Sequence, residues 1–215
     1  MTMISAQFLL PLFFITIVFF HIGKKNFGLA IAYGIQSFVI VLLLVNSFFE
    51  TGVVSLLFIA LLILVVKVIL APVFIIQLIK KHELKFLVST YANMPLTLII
   101  VAVLTVVAHS SIFAPLVTII PANKELLSLS LSALFVSLFL TVNRKGALSQ
   151  IIGILSLENS IVAFSFFAGL EQSPALQIGI IFDISVWMVI ATVFISMIYK
   201  HFGSLDVTEM SHLKD

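Results

Sequence analysis

The sequence predicts an all-α, polytopic membrane protein with about seven transmembrane helices. Of its 215 residues, 62% are hydrophobic and 9% are charged, whereas soluble domains contain roughly 45–50% and about 25% of these classes. The hydrophobic residues form seven stretches near or above the roughly 20 residues that a helix needs to cross a bilayer. Basic residues concentrate in alternate connections, which is the pattern of a chain that crosses a membrane repeatedly.

Short loops rich in glycine, proline, asparagine and charge separate the seven stretches, as expected where a chain turns at a membrane surface. The predicted helices span about 4–22, 27–48, 53–79, 86–108, 125–142, 147–169 and 175–199. No loop is large enough to form a domain. We therefore expect a single transmembrane domain over 1–215, with residues 200–215 forming a short tail.

Lysine and arginine define the predicted orientation. Nine of the eleven basic residues fall on one side, the opposite loops hold only Lys124, and Lys67 lies within a helix. The positive-inside rule assigns the basic side to the cytoplasm, so we expect the N-terminus outside and the C-terminal tail in the cytoplasm. The first helix lacks the basic segment that precedes a cleaved signal peptide, so we expect it to remain a membrane helix.

The second and fourth predicted helices contain uncharged polar residues. Gln36 and Asn46 lie in the second helix, and Asn93 precedes Pro95 in the fourth. Hydrogen bonding between helices explains most such residues in membrane proteins. An extension of a polar path through the membrane is the alternative for them.

The third predicted helix carries Lys67 near its middle and Pro72 little more than one turn later. Proline cannot donate a hydrogen bond to the carbonyl of Val68 and its ring crowds that carbonyl, so we expect a kink and a freed carbonyl beside Lys67. Burial disfavours the charged form of lysine and an acidic neighbour favours it, which suits Lys67 to a proton relay. A fixed ion pair is the structural alternative.

The sixth predicted helix places Glu158 close to the membrane midplane. Along the helix, Lys145 and Glu171 are the nearest charges on either side, each about 20 Å away at a rise of 1.5 Å per residue. The residues one turn from Glu158 are apolar, so its carboxylate must meet another helix, hold a proton or contact trapped water. A neutral, structural glutamate is the alternative. For Asn159 we expect packing through hydrogen bonds.

The seventh predicted helix carries Asp183, with Gly179 one turn before it. Glycine permits close approach of another backbone beside the acid. A charge at this depth costs about 2.5–3.5 kcal/mol, so three of them indicate partners or a purpose. Lys67, Glu158 and Asp183 therefore predict a chain of groups that passes protons, although the sequence leaves open whether they are in contact.

Composition excludes several other functions. The chain has no cysteine, so it cannot form a disulfide or hold an iron–sulfur cluster through thiolates. Its histidines show no spacing typical of a metal site, and no Ser/His/Asp arrangement points to a hydrolase. We expect no catalytic residue, metal site or cofactor in this chain. The net charge of +2 comes from scattered residues and predicts no nucleic-acid surface.

Short motifs in a specific order carry a family resemblance. They are Tyr33-Gly34-Ile35-Gln36-Ser37, Lys67-Val68-Ile69-Leu70-Ala71-Pro72, Leu157-Glu158-Asn159, Ile178-Gly179-Ile180-Ile181-Phe182-Asp183 and Gly203-Ser204-Leu205-Asp206-Val207. With these motifs the chain resembles, nearly end to end, component E of hydrogenase 4, a membrane subunit of group-four nickel–iron hydrogenase and formate hydrogenlyase complexes. Its last part is also similar to the small K-type subunit of respiratory complex I.

The resemblance implies roles for individual residues. Glu158 matches a glutamate that, in the K-type subunit, belongs to the central hydrophilic axis of the membrane arm. Asp183 stands near the second acid of that subunit, although its separation from Glu158 differs. Gln177 stands where relatives often carry an acid, so coupling is expected to differ in detail.

The resemblance also implies a location and partners. It implies a non-catalytic, multi-pass subunit in a prokaryotic cell inner membrane. Its partners would be antiporter-like membrane subunits, membrane lipid and a peripheral hydrogenase-like module, and that module would hold the nickel–iron and iron–sulfur centres. The transported ion would be a proton or sodium, and the lysine in the path favours protons because it repels cations.

Two other functions are open at this point. A self-contained secondary transporter also uses buried charges and a proline-broken helix, but seven helices without an internal repeat offer little for two moving halves. A structural membrane adaptor is the second alternative. A retinal pump is disfavoured because the only lysine within a predicted helix lies in the third one, and receptors of this topology generally carry an outer disulfide and an Asp-Arg-Tyr turn, which this chain lacks.

Overall fold

The computed structural model describes residues 4–81, 90–119 and 124–168, together with isolated positions between 178 and 200. Its α-helices in these ranges are α1 Ile4–Ile22, α2 Asn26–Thr51, α3 Val54–Ile63, α4 Ala71–Lys81, α5 Met94–Ala108, α6 Ala114–Ile119, α7 Lys124–Asn143 and α8 Ala147–Phe167. A π-helical segment, Leu64–Leu70, joins α3 to α4, and a short 3₁₀ turn, Ser111–Phe113, precedes α6. An isolated β-bridge pairs Thr90 with Arg144.

Four helices among the described residues are long and apolar enough to cross a membrane. They are α2, α7, α8 and the continuous helix Val54–Lys81, which comprises α3, the π-helical segment and α4. α1 and α5 are also apolar but provide shorter apolar stretches. The described part is thus the all-α membrane architecture that the composition predicted. Most of the predicted helix 175–199 and the whole tail from 201 lie outside the described residues, and the isolated positions between 178 and 200 are helical.

The fourth predicted helix, 86–108, was placed too early. α5 begins at Met94, and the described residues just before it are not helical. Asn93 caps the helix, since its Oδ1 accepts a hydrogen bond from the backbone of Leu96 at 3.0 Å. Pro95 lies in the first turn, where the N–H that proline lacks would have no helical partner. The hydropathy of the sequence does not change clearly at this boundary, so it could not be located from the sequence. Hydropathy also did not predict the 3₁₀ turn or α6.

α2 lies at the centre of the described bundle. It packs against α1, against the whole of the helix Val54–Lys81 and against α8, while α7 packs against α8, α5 and α1. Two apolar clusters fill the space between these helices. One includes Phe13 and Ile59, and the other includes Phe20 and Ile75. Polar side chains that α2, α7 and α8 direct inward are therefore held close together between these helices.

The π-helical segment lies immediately before Pro72 and accommodates the break that proline makes in the helical hydrogen bonds. The backbone N–H of Ala71 donates to the carbonyl of Val66, five residues back, so the helix widens immediately before the proline that interrupts its ladder. Gly34 of α2 faces this region. A Cβ at Gly34 would lie 3.3 Å from Cγ of Pro72 and 3.5 Å from the carbonyl oxygen of Val68. The missing side chain lets α2 approach the widened helix closely.

α7 and α8 also pack at a glycine. A Cβ added to Gly153 would lie 3.0 Å from Oγ1 of Thr141 and 3.1 Å from its Cα. Because backbone atoms cannot move aside as a flexible side chain can, this contact fixes how near the two helices lie. Small residues at such contacts are a common basis for helix association in membranes.

Gly153→Ala should lower the stability of the protein. The added methyl group would overlap the α7 backbone, and overpacking of this kind costs about 1–3 kcal/mol. Thermal unfolding in detergent, followed by intrinsic fluorescence, measures the effect. Gly28→Ala is the matched control, because its Cβ would meet only the Phe19 ring at 3.9 Å. Equal melting temperatures for Gly153→Ala and the wild type would contradict the proposed close packing.

Candidate functional site

Lys67 and Glu158 meet inside the helix bundle. The Nζ of Lys67, from the π-helical segment, lies 2.7 Å from Oε1 of Glu158 on α8. The Lys67 side chain is 1% exposed and the Glu158 side chain is 20% exposed. The sequence left open whether these residues touch, and the structure places them in direct contact. Charges inside a membrane are expected to pair in this way because each is costly alone.

Asn159 connects the ion pair to α2. Its Oδ1 accepts a hydrogen bond from Nζ of Lys67 at 3.1 Å. Its Nδ2 donates to Oε1 of Gln36 at 3.3 Å and to Oγ of Ser37 at 2.9 Å. The sequence predicted that Asn159 packs by hydrogen bonding between helices, and the structure adds that one of its partners is the buried lysine. Asn159 thereby joins three helices at one point.

Serine side chains extend the network to α7. Nε2 of Gln36 donates to Oγ of Ser156 at 3.0 Å. Oγ of Ser137 on α7 lies 3.2 Å from Oγ of Ser156 and 2.8 Å from Oγ of Ser160. These three serines and Gln36 are all fully buried. We call the set formed by Lys67, Glu158, Asn159, Gln36, Ser37, Ser137, Ser156 and Ser160 the polar network.

The two amides of the polar network point in the same direction. Asn159 presents its oxygen to Lys67 and its nitrogen to Gln36, and Gln36 presents its oxygen to Asn159 and its nitrogen to Ser156. The negative ends of both dipoles therefore face the ammonium group. In an interior of low dielectric, such aligned hydrogen bonds strengthen one another. They spread the stabilisation of the buried charge over α8, α2 and α7.

Local structure explains how Lys67 enters the network. It occupies the middle of the π-helical segment, which exists because Pro72 interrupts the hydrogen-bond ladder that follows. Pro72 is buried and lies over Gly34 of α2. The sequence predicted a kink at Pro72, and the structure has a π-helical segment within one continuous helix at this place.

The structure places the other residues singled out in the sequence in different surroundings, and two of them lie outside the described residues. Asp183 and Gly179 lie outside the described residues, so their part in the site stays a prediction. Gln36 belongs to the polar network. Asn46 instead approaches Glu50 in its own helix, with Nδ2 3.5 Å from Oε1, and Asn93 caps α5.

The sequence reading missed the three serines of the network. Ser156 and Ser160 lie one turn apart on α8 and follow Gly153, which is a row of small residues at the spacing of one helix face. Such rows are typical of helix contacts in membranes, and serine can hydrogen-bond across them. That spacing was the available signal for them. Ser137 on α7 stands in a similar row with Ser130, Ala133 and Thr141, so the same signal was available for it.

A second polar cluster fixes one end of the bundle. Arg144, in the turn between α7 and α8, is buried and its guanidinium donates to the backbone carbonyl of Phe20 near the end of α1. Burial lowers the pKa of Arg144 to about 10, so the group is still protonated at neutral pH. Asn143 donates to Oγ1 of Thr97 at 3.2 Å and accepts from the backbone of Ala92 at 2.8 Å. These contacts tie the end of α7 and the α7–α8 turn to α1 and α5.

Within the described residues, no group of three His, Cys, Asp or Glu side chains could hold a metal ion. Comparison of the chain with models of known protein families, with curated proteins and with solved structures finds no match. The geometry of the polar network is therefore the basis for the functional argument.

Lys67→Met should destabilise the protein strongly, because it leaves the Glu158 carboxylate without its cation. Removal of one partner of a buried pair costs about 3–5 kcal/mol, and the partial exposure of Glu158 favours the lower end. The double variant Lys67→Met/Glu158→Leu should recover most of the loss, because the buried charge is gone. Thermal unfolding of the single and double variants measures the coupling.

Lys124→Met, at the exposed start of α7, is the control and should change little. A double variant no more stable than Lys67→Met alone would contradict the ion pair as the source of the effect.

Proposed function

We propose that this chain is a non-catalytic membrane subunit of an energy-converting oxidoreductase complex similar to group-four hydrogenases, and that it forms part of a proton path. The single observation that carries the proposal is the ion pair of Lys67 and Glu158 inside the helix bundle, in which the Lys67 side chain is almost completely buried. Asp183 is proposed as the third member of the path. The nickel–iron and iron–sulfur centres would belong to partner subunits.

The cost of the pair argues for a functional role. A buried ion pair is often no more stabilising than apolar side chains of the same volume, so packing alone does not require one. An adaptor that only joins larger subunits needs apolar faces, which this chain has in abundance. Ionisable residues held in a membrane interior typically mark ion pathways and proton relays. The pair therefore favours proton movement over a purely structural role.

The side chains of Lys67 and Glu158 differ in how much of their surface is exposed. Lys67 is 1% exposed, whereas Glu158 is 20% exposed on α8. Glu158 is therefore the group through which a proton would reach or leave the pair. Protonation of Glu158 removes the negative charge that stabilises the ammonium group of Lys67, and a buried ammonium beside a neutral neighbour gives up its proton more readily. The pair can in this way hold one proton or two according to the charge next to it.

The proposed topology has seven helices, an outside N-terminus and a location in a prokaryotic inner membrane. The contact of Arg144 with Phe20 supports the predicted shared side of two connections, because it places the α7–α8 turn beside the end of α1. The bridge between Thr90 and Arg144 places the segment before α5 at this same end. Three connections that the charge pattern assigns to the cytoplasm are thus near one another. The charged ends of the helices agree with the positive-inside rule.

The first experiment is mass spectrometry of the proteins that copurify with the chain in mild detergent. We expect antiporter-like subunits and a peripheral module with nickel–iron or iron–sulfur centres, because the proposed relay needs a neighbouring source of changing charge. Recovery of the chain alone, or only with copies of itself, would contradict the proposal. That result would favour a self-contained secondary transporter, whose proton or sodium flux liposomes would reveal.

Glu158→Gln should abolish coupled proton movement while the complex still assembles. Glutamine keeps the size of the side chain and one oxygen that can accept from Lys67, but it cannot take up or release a proton at neutral pH. Proton uptake by membrane vesicles during turnover of the complex is the measurement. Glu125→Gln, at the exposed start of α7, is the matched control and should pump normally. Unchanged pumping in Glu158→Gln would contradict the relay and leave a structural role for the pair.

A further inference from the structure

Among the described residues, one end of the bundle carries basic side chains and no acidic ones. The end of α1, the start of α2 and the end of α4 meet there, since Phe20, Leu29 and Ile79 belong to one apolar cluster. The α7–α8 turn joins them through the contact of Arg144 with Phe20. Six basic residues lie at this end, namely Lys24, Lys25, Lys80, Lys81, Arg144 and Lys145. The three acidic residues that the structure describes lie elsewhere along their helices, and they are Glu50, Glu125 and Glu158.

The backbone adds to the positive potential at this basic end. α2 and α8 both begin here, and neither start has a side chain that caps the first backbone N–H groups. The N-terminus of a helix carries a partial positive charge, so a cation beside it is unfavourable and an anion is favourable. Lys25 nevertheless stands immediately before α2, and Lys145 stands two residues before α8. The arrangement of charges therefore favours an anionic partner.

Tyr91 and Lys145 form an exposed pair at the basic end. The Nζ of Lys145 lies 5.0 Å from the centre of the Tyr91 ring, and Tyr91 is 61% exposed. The backbone N–H of Tyr91 donates to the carbonyl of Asn143 at 3.0 Å, and the neighbouring Thr90 pairs with Arg144. These backbone contacts hold the ring beside the α7–α8 turn. An ammonium group has three donors, so its contact with the ring face leaves donors for a phosphate.

An apolar groove between α5 and α7 begins next to this pair. Its volume is about 490 Å³ and all its lining residues are apolar, among them Ile100, Leu104 and Val107 of α5 and Phe135, Leu138 and Val142 of α7. Val142 adjoins Asn143, the residue that holds Tyr91. Phe135 lies seven residues further from the turn, so the groove extends about 10 Å along the bundle at 1.5 Å per residue. The groove can therefore hold a length of hydrocarbon chain that starts at the basic end.

We propose that this site binds an anionic phospholipid, with the headgroup phosphate on Lys145 beside the Tyr91 ring and one acyl chain in the groove between α5 and α7. Basic groups at the ends of membrane helices attract anionic headgroups, and the apolar lining matches hydrocarbon. An acidic protein surface would match the lysines but not the groove, whereas a phospholipid matches both. The site does not depend on the function proposed above.

Native mass spectrometry of the full chain tests the headgroup preference. The protein is incubated in mild detergent with equal amounts of phosphatidylglycerol and phosphatidylcholine, and we expect it to retain mainly phosphatidylglycerol. Lys145→Gln should weaken that retention about fivefold, the usual contribution of one lysine near an anionic headgroup. Lys124→Gln, at the opposite end of α7, is the control and should bind as the wild type does. Equal retention of the two lipids by the wild type, or no loss in Lys145→Gln, would overturn the proposal.

The same measurement tests the groove. Leu138→Trp fills it and should weaken the retention of phosphatidylglycerol severalfold. Leu57→Trp is the matched control and should not, because Leu57 lines a different apolar groove, between α2 and α3. Glycerol phosphate, which has the charge but no acyl chain, should not displace the lipid. Displacement by glycerol phosphate, or full retention in Leu138→Trp, would overturn the proposal, and Lys145→Gln tests it even if Leu138→Trp does not fold.

Discussion

The burial of one ammonium group determines much of the interior. Lys67 lies almost without exposure in an apolar bundle, and an ammonium there must be surrounded by oxygen atoms. Glu158 and Asn159 supply them from neighbouring positions on α8. Those two contacts require α8 to lie beside the π-helical segment. They also require α2 to follow, because Asn159 is held in turn by Gln36 and Ser37.

Close backbone packing makes these contacts possible. Gly34 allows α2 to reach the widened helix at Pro72, and Gly153 allows α8 to reach α7. Ser137, Ser156 and Ser160 are short, so their hydroxyls meet only if the helices are this near. The hydrogen bonds of the polar network therefore depend on the close packing of these helices. A change that separates the helices would lengthen the hydrogen bonds that hold the charge.

The sequence indicated which residues of the site lie far from the ends of their helices. It did not indicate which residues of different helices are in contact. Lys67 and Glu158 were identified because their distance from the helix ends makes a charge costly. Their contact was beyond prediction, because hydropathy indicates where a helix lies but not which face meets which helix. Asn93 was misjudged for a different reason. It caps α5 through a contact with a residue nearby in the sequence, but the apolar residues around it made the predicted helix begin before it. Asp183 stays a prediction, since it lies outside the described residues.

The amides of Asn159 and Gln36 have a consequence for the proton path proposed above. A proton hops along a hydrogen-bonded chain only through groups that can take up one proton and release another, and an amide keeps fixed donors and a fixed acceptor. The two amides lie between Lys67 and the serines of α7 and α8. They transmit the electric field of the lysine but insulate the serines from its proton. In the function proposed above, the proton therefore exchanges at Glu158 and does not continue through the two amides to these serines.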